Sequence, residues 1–165
     1  MRRAAGLLVR LNIPPRTDGC NRISLLLNNG SRIVGLPENE ATIRGFSALS
    51  MLIIDEASRV SDVTYHALRP MLSVGNGDLW MLSTPFGKRG FFYETWKQPD
   101  PEWLCISVQA DECPRISPGF LAEQRSVMGN DSFNQEHMCE FSGSAGALFD
   151  PDLIQAALDY DLEPV

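Results

Sequence analysis

The sequence predicts an α/β fold built on a parallel sheet, and three observations carry the prediction. Met51-Leu52-Ile53-Ile54 is an unbroken run of large apolar residues ending in Asp55-Glu56. A run of this kind reads as a strand buried on both faces, as found inside a parallel sheet. Leu79-Trp80-Met81-Leu82 repeats the pattern and ends in Ser83-Thr84-Pro85. Between the two lies a helical pattern, with Val63, Ala67, Leu68, Met71 and Leu72 on one face. Strand, helix and strand in this order form a βαβ unit with a right-handed crossover. The polar ends of both strands then share one sheet edge, the edge at which open α/β sheets bind ligands.

Residues 1–20 carry no readable element beyond loop signals at Pro14-Pro15 and Thr17-Asp18-Gly19. The basic flanks of Met1–Arg10 enclose an apolar run too short for a signal peptide, and no cleavage site follows. Ile23–Leu27 and Ser31–Val34 flank Asn28-Asn29-Gly30, a strong hairpin signal. Pro37-Glu38-Asn39-Glu40 reads as a turn, and Thr42–Ser47 as an irregular connection into the central strand. Within it, Arg44 has two readings, a phosphate contact or a surface residue, and the local sequence favours the second.

Ser61-Asp62 starts the crossover helix, with a capping hydroxyl followed by an acid in the first turn. Pro70 must kink or shorten that helix, and Gly75-Asn76-Gly77-Asp78 breaks the chain before the second strand. Phe86-Gly87-Lys88-Arg89-Gly90 is a loop. Phe91, Phe92, Tyr93 and Trp96 then form an aromatic helix. Such aromatics stack on bases in some proteins, but clustered at helical spacing they read as core. Trp103–Val108 is expected to be a third strand. Ser117-Pro118 starts a helix with Phe120, Leu121, Gln124 and Met128 on one side. Phe133, Met138 and Phe141 suggest another helix, Ser142–Gly146 a flexible break, and residues 152–158 a last short helix after Leu148-Phe149-Asp150-Pro151.

The chain of 165 residues suits one domain or a large piece of one. It has no apolar stretch long enough for a transmembrane helix, so no membrane association is expected. The net charge of −7 is uneven: +4 over residues 1–50, balanced over 51–99, and −11 over 100–165. An acidic balance excludes nucleic-acid binding through bulk charge. Cys20, Cys105, Cys113 and Cys139 form no CxxC pair and read as reduced thiols. His66 and His137 have no partners at ligand spacing, so no zinc site is expected.

Two adjacent carboxylates at a strand end are costly unless water, a metal or a partner satisfies them. Asp55-Glu56 therefore has two readings. One is a buried strand ending in a solvated acidic turn. The other resembles a Walker B motif, in which Asp55 holds the Mg²⁺ of a nucleotide and Glu56 polarises the attacking water. The phosphate-cradling pattern G-x-x-x-x-G-K-[ST] that should accompany a Walker B is absent, and Gly87-Lys88 does not supply it, with Leu at position 82 and Arg at 89.

Four motifs occur in order: Ile43-Arg44-Gly45, Leu52-Ile53-Ile54-Asp55-Glu56-Ala57, Leu82-Ser83-Thr84-Pro85, and Gly87 to Tyr93. Together they resemble the large terminase subunit of tailed bacteriophages, a DNA-packaging ATPase, over residues from roughly 21 to 158. The resemblance implies a partial P-loop NTPase sheet of the RecA/ASCE-like kind, with flanking helices and an N-terminal β-hairpin. It assigns Asp55 to magnesium, Glu56 to catalysis, and Ser83-Thr84-Pro85 to the coupling motif that relays nucleotide state to the DNA-moving parts. It implies ATP and Mg²⁺ as cofactors, and as partners double-stranded DNA, the portal protein and the small terminase subunit, in the cytoplasm of a bacterial host. On this reading residues 1–20 are poorly defined, 21–141 are a partial ATPase domain, and 142–165 lead toward a nuclease domain. The family's Walker A loop is expected to lie on an upstream fragment, and the chain alone to be inactive. Two other readings stay open: a non-catalytic interaction scaffold, and a piece of a helicase-like DExx ATPase. The Ser-Thr-Pro after the second strand favours terminase over helicase.

Overall fold

The computed structural model describes residues 2–13, 23–36 and 45–143. The chain divides into two units, residues 1–46 and 47–165. The loop signals at 14–19, Cys20, the turn at 37–40 and the Ile43-Arg44 pair lie outside the described residues, as does everything from Ser144 onward, including Leu148–Pro151 and the helix expected at 152–158. No described helix is long and apolar enough to cross a membrane.

In the first unit, helix α1 spans Arg2–Arg10, where the sequence pattern had suggested no element. Leu7 and Val9 on it are exposed. Strands β1 (Ser24–Leu26) and β2 (Arg32–Val34) pair antiparallel, with Leu25 opposite Ile33. The Asn28-Asn29-Gly30 loop closes as the sequence expects. The Leu27 amide donates to the Ser31 carbonyl, and the Gly30 amide donates back to Leu27. Gly30 takes φ +85°, the left-handed position that such three-residue hairpin loops need. The Ser31 amide donates to Asn29 Oδ1 at 3.0 Å.

The second unit is centred on the βαβ unit. Strands β3 (Met51–Asp55) and β4 (Asp78–Leu82) run parallel, in a register that sets Ile53 beside Trp80 and Asp55 beside Leu82. Helix α2 (Asp62–Leu68) connects them. The Ser61 hydroxyl caps it by accepting from the Thr64 amide. Pro70 has no N–H to continue the α-helical ladder, and the chain tightens into a 3-10 turn over Arg69–Leu72. Leu68, Met71 and Leu72 are buried as the periodicity expects. Val63 is not: it is 64% exposed, and the buried face runs through Thr64 instead. Thr64 is tolerated there because its hydroxyl oxygen accepts a hydrogen bond from Ser61 at 2.9 Å.

The structure revises two strand expectations. β3 is buried on one face only: Ile54 is 5% exposed, whereas Met51 and Ile53 are 49% and 57% exposed. Trp80 and Leu82 of β4 stand on the same open face, because no described element covers that side of the two-stranded sheet. Trp103–Val108 forms no regular element and pairs with no described strand, and Leu104, Ile106 and Val108 are exposed. Its apolar composition is that of a strand, but a strand without a ladder partner is not one.

The remaining elements are helical. In α3 (Gly90–Lys97) the core expectation holds for Phe91, which is buried and stacks on Tyr65 at 4.0 Å, whereas Phe92, Tyr93 and Trp96 are half-buried and Phe92 and Tyr93 meet Phe141. Asp62 joins the starts of two helices. It occupies the first turn of α2, and its Oδ1 accepts from the Phe91 amide at 2.8 Å, near the N-terminus of α3 where a negative charge is favoured. Helix α4 (Pro118–Met128) is capped by Ser117 and half-buries Leu121, Gln124 and Met128. Phe120, expected on the same side, is exposed. Helix α5 (Asn130–His137) buries Phe133 to 2%. Met138 ends that helix, and Phe141 lies beyond it.

Candidate functional site

Asp55 is the last residue of β3, and its register partner Leu82 is the last residue of β4. Parallel pairing therefore brings Glu56 and Ala57 after one strand, and Ser83 and Thr84 after the other, to the same carboxyl edge of the sheet. This is the edge at which open α/β sheets hold ligands. The Glu56 amide donates to Asp55 Oδ1 at 3.1 Å. Glu56 itself adopts φ 52°, ψ 40°, a left-handed conformation that side-chain-bearing residues avoid at a cost of about 1 kcal/mol or more. The strain turns the backbone out of the strand and into the 3-10 turn Ala57–Arg59. Ala57 is fully buried there. The Glu56 side chain stays 63% exposed, open to a reactant.

Ser58 ties this turn to the residues after β4. Its amide donates to Ser83 Oγ at 3.2 Å, and its hydroxyl donates to the Thr84 carbonyl at 2.8 Å. With the Ser58 proton committed, the 2.7 Å contact between the two hydroxyls is Ser83 donating to Ser58. Three bonds thus lock the Asp55–Ser58 turn to Ser83-Thr84. Pro85 is buried beside them.

Arg59 and Glu136 make a second connection. The Arg59 guanidinium lies 4.2 Å over the Phe86 ring and donates to Glu136 Oε1 at 3.1 Å. Its Nε is 4.0 Å from Glu56 Oε2. The other Glu136 oxygen accepts from the Thr84 hydroxyl at 3.2 Å. The expected site residues Asp55, Glu56, Ser83, Thr84 and Pro85 thus gather at one edge. The residues joining them, Ser58, Arg59, Phe86 and Glu136, were not singled out from the sequence. Arg59 carried a signal, three residues after Glu56 in a helical turn. Glu136, 77 residues from Arg59, carried none.

Among the described residues no group of three or more His, Cys, Asp or Glu side chains is placed to hold a metal ion. One exposed carboxylate at a strand end suits Mg²⁺ in a different way. That ion keeps its waters and is shared between one or two carboxylates and substrate phosphates, and Asp55 fits such a donor set. A groove of about 1,140 Å³ between β4, α3 and the Trp103–Val108 segment reaches this edge at Ser83 and Pro85, but its lining includes neither Asp55 nor Glu56.

A family model described as terminase large subunit, T4likevirus-type, N-terminal, matches residues 2–156. The large terminase subunit of Escherichia phage T5 is 28% identical over 152 residues, covering 88% of this chain and 34% of that protein. The probable large terminase subunit of Enterobacteria phage P7 is 29% identical over 101 residues, covering 56% of this chain and 20% of that protein. Among solved structures, the large terminase ATPase domain of Thermus phage P74-26 superposes with a TM-score of 0.51 at 24% identity, covering 78% of this chain and 56% of that one. A mutant of the same domain gives 0.51 at 22% identity. The chain therefore spans about a third or less of the curated relatives and about half of the solved domain.

Proposed function

The chain belongs to the terminase large subunit family, and from that membership we propose that it forms part of the ATPase motor that drives double-stranded DNA into a phage capsid. Its fold is that of a terminase ATPase domain, an α/β P-loop architecture with a parallel sheet and a β-hairpin. One observation carries the proposal. Asp55-Glu56 and Ser83-Thr84-Pro85 stand at the same end of two parallel strands, and Ser58, in the turn that follows Glu56, is hydrogen-bonded to Ser83 and Thr84. That arrangement suits a site that both hydrolyses a nucleotide and reports its state.

In this reading Asp55 is the residue that would hold the Mg²⁺ of a bound nucleotide. Magnesium supplies charge neutralisation on the phosphoryl oxygens. Glu56, exposed at the tip of the strained turn, accepts a hydrogen bond from a water and aims it in line with the γ-phosphorus. Ser83 and Thr84 feel the position of the turn through Ser58. Phosphoryl transfer depends on positioning and charge stabilisation, and much of both comes from a phosphate cradle. These 165 residues contain no such pattern, so the cradle is assigned to a segment outside them. The portal protein and the small terminase subunit are the further partners in this assignment, the bacterial cytoplasm its setting, and nuclease action belongs to parts of the motor outside these residues.

The test is ATP turnover by the purified chain, alone and with a polypeptide carrying the strand, G-x-x-x-x-G-K-[ST] loop and helix of a terminase. The expected result is no Mg²⁺-dependent turnover alone, and turnover on addition that is lost in Glu56→Gln. Turnover by the chain alone, abolished by Glu56→Gln, would overturn the assignment of the cradle. No turnover in the mixture, despite complex formation, would overturn the assignment of the site.

A further inference from the structure

We infer that Arg59 and Glu136 are positioning residues that make the orientation of Glu56 and the state of Thr84 one coupled variable. The inference rests on the functional reading above for its importance to the motor. The coupling itself rests on geometry alone.

Four side chains form an unbroken polar chain. Glu56 Oε2 lies 4.0 Å from Arg59 Nε, the Arg59 guanidinium donates to Glu136 Oε1 at 3.1 Å, and Thr84 donates to Glu136 Oε2 at 3.2 Å. Each link has a feature that makes it directional. Arg59 is a planar fork with several donors, able to face two carboxylates at once as a lysine cannot. The Phe86 ring under its guanidinium, at 4.2 Å, favours a guanidinium that stays stacked on the ring. Glu136 Oε1 accepts from Arg59 at 3.1 Å and, at the longer 3.4 Å, from Gln135, while Oε2 accepts from Thr84, so a shift of Arg59 acts on the carboxylate that holds Thr84. Phe133, one turn earlier on α5 and 2% exposed, anchors the helix that presents Glu136.

The contacts also differ in strength. At 4.0 Å with both side chains well exposed, the Glu56–Arg59 pair is weak. The Arg59–Glu136 bond is shorter, and Glu136 is only 32% exposed. Glu56 is therefore the loose end of the chain, free to leave Arg59 for a water or a nucleotide at little cost. Arg59 then keeps Glu136 as its carboxylate partner, with the Phe86 ring beneath it, and Thr84 receives the change. A weak link at the reacting carboxylate, followed by stronger links toward Thr84, is the arrangement a relay needs. The backbone route through Ser58 carries displacement of the turn, whereas the Arg59–Glu136 route carries the side-chain position of Glu56.

The experiment requires no nucleotide. In the full chain with threonine methyl groups labelled, the Thr84 resonance is recorded in the unsubstituted protein and in Glu56→Gln, each with and without Arg59→Ala. Glu56→Gln is expected to shift the Thr84 methyl signal, and Arg59→Ala is expected to abolish that response. Glu136→Gln should abolish it too, while Arg59→Lys, which keeps the charge but loses the fork, should retain only part of it. If Arg59→Ala unfolds the chain, the Arg59→Lys and Glu136→Gln backgrounds decide. An unchanged response to Glu56→Gln in these backgrounds, or no response at all, overturns the coupling. Because ATP is absent, either outcome is independent of whether the site hydrolyses it.

Discussion

Gly77→Ala is expected to lower the unfolding free energy by about 3 kcal/mol, the upper end of what an extra methyl group costs in a packed site. The reason is a close approach of two backbones. A Cβ built on Gly77 would overlap the Leu49 carbonyl oxygen and sit 2.9 Å from the carbonyl carbons of Leu49 and Ser50. None of these is the end of a flexible side chain, so the strands themselves must separate. Separation strikes where the sheet begins: the Asp78 amide donates to the Ser50 carbonyl, and Met51 pairs with Asp78 in the next step of the ladder. The register that brings Asp55 beside Leu82 starts here, so the substitution should also disturb the edge carrying Glu56 and Ser83. Gly119→Ala is the control. It meets nothing within 4 Å, and should stabilise the chain slightly by restricting the unfolded state. Chemical denaturation monitored by circular dichroism measures both. A Gly77→Ala midpoint equal to that of the unsubstituted protein would show that β3 and β4 do not approach as described.

The second large effect is at Phe133. Replacing this 2% exposed ring with alanine should cost about 3 kcal/mol, a fall of roughly 10 °C in melting temperature for a chain of this size. The ring meets His137 at 5.0 Å and lies under the Arg125 guanidinium at 4.4 Å, so it joins α4 to α5. Phe120→Ala, on the exposed side of α4, should cost only about 0.5 kcal/mol. Losing the anchor also frees the helix carrying Glu136, so the Thr84 methyl signal should broaden or move in Phe133→Ala even below the melting transition. Equal melting temperatures for the two alanine variants would contradict the packing of α5.

The βαβ unit was legible because its signals are local: apolar runs of strand length, a capping Ser61, and a proline at 70 that shortens the helix. The Asn28–Gly30 hairpin was legible for the same reason. Trp103–Val108 misled because apolar composition reports a tendency to pair, whereas a strand exists only when a ladder forms, and no described strand pairs with it. The burial of β3 was overestimated by the same logic, since an apolar run cannot say whether both faces are covered. At the candidate site, the residues at strand ends were readable from sequence. Ser58 and Glu136 were not, because a hydroxyl bond across 25 residues and an ion pair across 77 leave no periodic trace.

The central claim is that Asp55 and Glu56, adjacent at one strand end, do different work. The most direct measurement is the affinity for Mg²⁺·ATP, with hydrolysis measured in parallel, on the chain completed by a polypeptide bearing the phosphate loop. Glu56→Gln keeps the shape and hydrogen-bonding reach of the side chain, and should leave binding within about twofold while stopping hydrolysis. Asp55→Ala removes the carboxylate assigned to the metal, and should weaken Mg²⁺-dependent binding by about tenfold, equivalent to about 1.4 kcal/mol. Equal loss of binding in the two variants, or hydrolysis that survives in Glu56→Gln, would contradict the division of roles.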